Sequence, residues 1–141
     1  MEDINALDEI NKGTCMGMDA ISYVLDKVAD RGFKKVIKKQ YDDYHMIEEE
    51  IGKIYHKYDD GKPHETNAIT KAMTWSGIEM KTLMDNSNSK IAELLLQGVN
   101  MGIIEGRKIL NEKKINDEVR DIVTKYVTMQ EENVEILKKY L

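Results

Sequence analysis

A chain of 141 residues with 21 basic and 26 acidic side chains, net charge −5, fits one domain, 1–141, and is long enough to bury a core without staples. That balance argues against nucleic acid or an anionic membrane as partner, because phosphate surfaces are met by basic patches, and the run Lys34, Lys35, Lys38, Lys39 reads as a solvated helix face. A lone Cys15, an opening MEDINALDEINK without the features of a signal peptide, and no apolar run near the roughly 20 residues of a membrane span predict a reducing, cytoplasmic setting.

Many Lys, Glu and Ile with one Pro and one Phe predict long helices and no sheet. The first helix runs over about 4–29 with Leu7, Asn11, Thr14, Met18, Ile21, Leu25 and Val28 on one heptad stripe, and Asp30-Arg31-Gly32 ends it, Gly32 supplying a left-handed turn. The second covers about 33–58 on the stripe Phe33, Ile37, Gln40, Tyr44, Ile47, Ile51, Ile54 and Tyr58, completing a hairpin over 4–58. Gly61 and Pro63 then break the chain. A shorter crossover helix, about 67–84, connects to the fourth helix, about 90–111, with Ala92, Val99, Ile103, Gly106 and Leu110 facing the core. Asn116 caps a fifth helix, with Asp117 and Glu118 in its first turn, where the helix dipole favours acids. Its stripe is Val119, Val123, Tyr126, Gln130, Asn133, Leu137 and Tyr140, and the second hairpin spans about 90–141. The prediction is an all-α, up-down four-helix bundle of two hairpins with the crossover helix outside.

The two hairpins look like a repeat. Laid without gaps on 98–141, the segment 13–56 matches at Gly13/Gly98, Met16/Met101, Gly17/Gly102, Leu25/Leu110, Ile37/Ile122 and Tyr41/Tyr126, among others. The four glycines sit at four-residue spacing inside helices, which points to close helix approach and not to a phosphate loop. The fourth helix also carries a second apolar face, Leu94, Met101 and Ile104, which either the crossover helix or a second subunit covers; a homodimer is expected.

The segments YDDYHMIEEEI (41–51) and MQEENVEIL (129–137) resemble the helices of the ferritin-like superfamily that carry E-x-x-H within E-E-x-x-H-x-E-x-L. The opening LDEINKGTCMG is similar to the first helix of a bacterial, rubrerythrin-related group of domains of unknown function. That resemblance implies a ferritin-like bundle and, in active members, two metal ions held by a Glu from each of two helices and a Glu-x-x-His from each of the others. Helical phase, about 100° per residue, tests the implication. The first helix turns Asn11, Thr14 and Met18 inward, with Asp19 and Asp26 outside; the fourth turns Val99, Ile103 and Gly106 inward, with Glu105 outside. Neither supplies an inward carboxylate, and on the fifth helix the motif is replaced by Gln130-x-x-Asn133, two neutral amides. On the second helix Asp42 faces out, His45 flanks the stripe and Glu48 lies nearer the core.

The expectation is a non-enzymatic bundle with a structural or protein-interaction role and no cofactor. Its core holds a polar cluster of Asn11, Thr14, Gln40, Tyr44, Gln130 and Asn133, whose amides should bond to one another or to water. Two alternatives stay open. One is an iron- or di-metal-binding oxidoreductase or iron-handling protein using His45, Glu48, Glu105 and Glu131; the other is a small-ligand binder, which requires a sizeable interior cavity. Cys15 reads as a buried thiol and the nine methionines as gap-fillers.

Overall fold

The computed structural model describes residues 2–63, 77–78, 81–82, 85–112 and 114–141. Within them the chain is all-helical: α1 (Glu2–Leu25), α2 (Arg31–Tyr55), α3 (Asn88–Glu112) and α4 (Asp117–Lys138). The crossover helix expected at 67–84 lies outside the described residues apart from Gly77, Ile78, Lys81 and Thr82, which are helical; Ile78 and Thr82 are buried.

Local chemistry places the turn between α1 and α2 differently from the sequence expectation. α1 stops at Leu25, and Asp30 caps α2 by accepting the Phe33 N–H at 2.8 Å. Capture of that N–H draws Arg31 and Gly32 into the first turn of α2, so Gly32 has no left-handed conformation. Asn116 begins α4 as expected, but its side chain makes no cap bond; it donates to the Tyr58 hydroxyl at 3.2 Å instead.

α1 packs against α2, α3 and α4, while α4 also packs against α2 and α3. Touching three helices, α1 buries a wider band than one heptad seam: Ala6, Ile10 and Val24 join Leu7, Asn11, Thr14 and Ile21, and Met18 and Leu25 are only half-buried. Phe33, Ile37, Gln40, Tyr44, Ile47 and Ile51 are buried on α2, followed by Tyr55, while Ile54 and Tyr58 are half-buried. On α3 the stripe is rotated toward Ile91, Leu95 and Ile109, which are buried with Ala92, Val99 and Gly106; Ile103 and Leu110 are half-buried. α4 buries Val119, Val123, Tyr126, Gln130, Asn133 and Leu137, adding Ile122 and Val127.

Contacts at the ends of the bundle fix the direction of each helix. Glu2 and Asp3 at the start of α1 accept the N–H groups of Lys114 and Asn116 at 2.9 and 2.7 Å, in the turn between α3 and α4. At the same end Tyr58 donates to Glu118 at 2.6 Å and Lys57 pairs with it at 3.1 Å. At the other end Phe33 stacks on Tyr140 with centroids 4.4 Å apart. Each hairpin is therefore up-down, but α2 and α3 run parallel, as do α1 and α4.

Candidate functional site

The six residues of the sequence-derived polar cluster are all buried, with Thr14 fully enclosed and Gln130 only 1% exposed. One linked chain runs through the centre. Tyr44 donates to Gln130 Oε1 at 2.7 Å, and Gln130 Nε2 donates to the Tyr126 hydroxyl oxygen at 3.2 Å. Glycines make room for it. A Cβ at Gly17 would lie 2.5–2.9 Å from the Tyr44 ring, one at Gly102 2.6 Å from both Gln130 Nε2 and the Tyr126 oxygen, and one at Gly13 would also strike that hydroxyl. Gly98 is different: among the described residues a Cβ there would meet nothing within 4 Å, so close approach of α1, α2 or α4 does not account for it.

Both phenols are held neutral. Burial, reinforced by the neighbouring Tyr126, pushes Tyr44 well above the ordinary tyrosine value, against the pull of the Gln130 hydrogen bond. Burial likewise pushes Tyr126 up to about 12, with Gln130 lowering it and Glu105 raising it. Both phenols are therefore neutral hydrogen-bonding groups near neutral pH.

The rest of the cluster does not join that chain. Thr14 turns back to the Ile10 carbonyl at 2.8 Å. Asn11 donates to the Cys15 sulfur at 3.8 Å, and the Cys15 thiol donates to Glu48 Oε2 at 3.6 Å. Gln40 Nε2 and Asn133 Nδ2 are buried with no hydrogen-bond partner among the described residues. Burying such donors unpaired costs about 1–3 kcal/mol each.

The expectation that α1 carries no inward carboxylate needs correction. Asp8 is buried and accepts the Tyr55 hydroxyl at 2.7 Å. Tyr55 is raised above the ordinary tyrosine value by desolvation and by this carboxylate. Sequence reasoning overlooked Asp8 because it lies beside the stripe of Leu7, Asn11 and Thr14. The signal available was its spacing, three and seven residues before Asn11 and Cys15, which puts all three on the flank facing α2.

The remaining acids of the metal alternative fall in different seams. His45 is half-exposed on α2, with Glu48 at 3.5 Å and Glu49 at 3.1 Å, and Glu48 leans toward Cys15 of α1. Glu131 on α4 is bound by Arg107 of α3 at 2.5 Å, and Glu105 is exposed, with Lys108 at 4.0 Å. Among the described residues no three His, Cys, Asp or Glu side chains are grouped to hold a metal ion.

A cavity of about 460 Å³ opens between α1 and α3, within the roughly 300–1,000 Å³ of small-molecule sites. The two matching stretches of the repeat form opposite walls: Gly13, Met16 and Gly17 on one side, Gly98, Met101 and Gly102 on the other. Gln40, Tyr44 and Tyr126 reach it from the remaining helices, and Ile78 and Lys81 border it from the connecting segment. The second apolar face of α3 lies at its rim and beyond. Leu94 is half-buried, whereas Met101 is 60% and Ile104 53% exposed. Among the described residues no helix is long and apolar enough to cross a membrane. Compared with protein-family models, with curated proteins and with solved structures, the chain matches none.

Proposed function

We propose that this protein is a non-enzymatic bundle of ferritin-like form, which acts by association as a cytoplasmic homodimer joined through Leu94, Met101 and Ile104 of α3. The observation that carries this is the chemistry of the centre. Tyr44, Gln130 and Tyr126 form a chain of neutral hydrogen bonds where a di-metal bundle needs converging anionic oxygens and imidazoles. The parallel course of α2 and α3 supports the ferritin-like form, in which two antiparallel hairpins are arranged in this way. The exposure of Met101 and Ile104 supports association, because apolar side chains left in water on one helix face gain by being covered. The test has two arms. Protein purified without chelators and loaded anaerobically with Fe(II) should retain well under one iron per chain, and Ile104→Asp should convert a dimer to a monomer in sizing experiments with helicity unchanged. Wild-type protein that is already monomeric ends the dimer.

One observation favours the metal-handling alternative. Glu48 meets Cys15 of α1 at 3.6 Å and His45 of its own helix at 3.5 Å, each a pairwise contact with a side chain of metal-ligating type, although the three do not form one ligand group. Near-stoichiometric iron that disappears in Glu48→Ala would replace the non-enzymatic reading with this one.

A further inference from the structure

The α1–α3 cavity combines apolar walls with hydrogen-bond donors at its floor. Met16, Ile21, Leu94 and Val99 supply the apolar surface, which holds water poorly. Gln40 is 3% exposed, lines the cavity, and its Nε2 has no partner among the described residues. Tyr126 lines it too. Its oxygen accepts from Gln130, which leaves its own O–H to donate. Donors without acceptors are costly when buried, so the site is complete only when an acceptor enters.

The charge pattern narrows the acceptor. Lys12 and Lys81 border the cavity but are exposed, and the equally exposed Glu9 and Glu105 offset them. An anionic head reaching Gln40 would be desolvated with no cation beside it and with Glu105 acting on the neighbouring Tyr126. A neutral carbonyl oxygen pays no such penalty. Gly98 adds an independent indication. Among the described residues it has no packing neighbour to protect, and its absent side chain leaves that part of the cavity wall open.

We propose that this cavity binds a small neutral molecule with an apolar body and one carbonyl-type oxygen, which accepts from Gln40 Nε2 and the Tyr126 hydroxyl. Leu94 and Met101 line the cavity and also belong to the proposed dimer face, whereas Ile104 does not line it, so the two readings are separated at Ile104. Prodan, a neutral naphthyl ketone whose emission shifts to the blue in apolar surroundings, tests it on the full chain, beside the same naphthylamine lacking its acyl group. Wild-type protein should bind prodan saturably. Gln40→Leu should weaken prodan about tenfold, the loss of one hydrogen bond, and leave the acyl-free probe unchanged. Gly98→Leu should abolish binding of both probes without lowering the thermal midpoint, because its side chain clashes with none of the described residues and improves helix propensity. No saturable binding by the wild type, as for a cavity holding only water, overturns the proposal. So does unchanged binding by Gly98→Leu, and equal weakening of both probes by Gln40→Leu removes the carbonyl assignment. Ile104→Asp that dissociates the dimer yet binds prodan normally keeps the two proposals apart.

Discussion

The two hairpins start from related patterns and use them in opposite ways. At the repeat offset, His45 and Glu48 of α2 correspond to Gln130 and Asn133 of α4. The titratable pair sits in partly solvated surroundings, His45 against Glu48 and Glu49, while the amide pair is almost completely enclosed, Gln130 joined to two phenols. Solvation explains the division. An ionised side chain keeps its charge cheaply only where water reaches it, whereas an amide can be enclosed once it is hydrogen-bonded. The same helical positions therefore take charge on one side of the bundle and neutral polarity on the other.

Copying the first hairpin into the second should break the molecule most severely. Asn133→Glu places a carboxylate at a position 2% exposed and should cost about 3–5 kcal/mol in urea unfolding, whereas the reciprocal Glu48→Asn, at a partly solvated position, should cost less than about 1 kcal/mol. Alkali attacks the phenols that Gln130 joins. Tyr126 is raised from 10.0 to about 12, so the folded state keeps a proton that the unfolded state has lost. Stability is then fully present below about pH 10 and falls as pH rises to about 12, by roughly 2–3 kcal/mol, which circular dichroism should follow together with phenolate absorbance. Gln130→Leu should cost about 1–3 kcal/mol, since it strands both tyrosine hydroxyls, and Gly102→Ala a similar amount through overpacking against Tyr126 and Gln130. The smallest effect belongs to the exposed pair: His45→Ala should change stability by no more than about 0.5 kcal/mol. A large loss there would show that the two hairpins are more alike than their burial indicates.

Helix positions and the polar lining of the centre were legible because both depend on periodicity along one chain. Gln40, Tyr44, Gln130 and Asn133 follow apolar neighbours at heptad spacing, and the structure encloses them with those neighbours. What spacing could not show was which polar groups would meet. Gln130 bridges Tyr44 from another helix and Tyr126 from its own, yet Gln40 and Asn133, equally buried, receive no partner among the described residues. Asp8 escaped notice for a related reason. A carboxylate beside a stripe is ordinarily solvated, and only the approach of Tyr55 from α2 encloses it.

The sequence by itself determined four amphipathic helices, the breaks between them and the absence of ionised groups from most core positions, because rotation about a helix axis is set at every residue by the residues before it. Tertiary structure alone decided that α2 and α3 run parallel, that Gly17 and Gly102 accommodate tyrosine side chains while Gly98 has no such neighbour among the described residues, and that α1 and α3 stand far enough apart to leave a cavity. These depend on the translation and tilt of one helix against another. Side chains distant in sequence fix them jointly, so no single stretch of the chain encodes them.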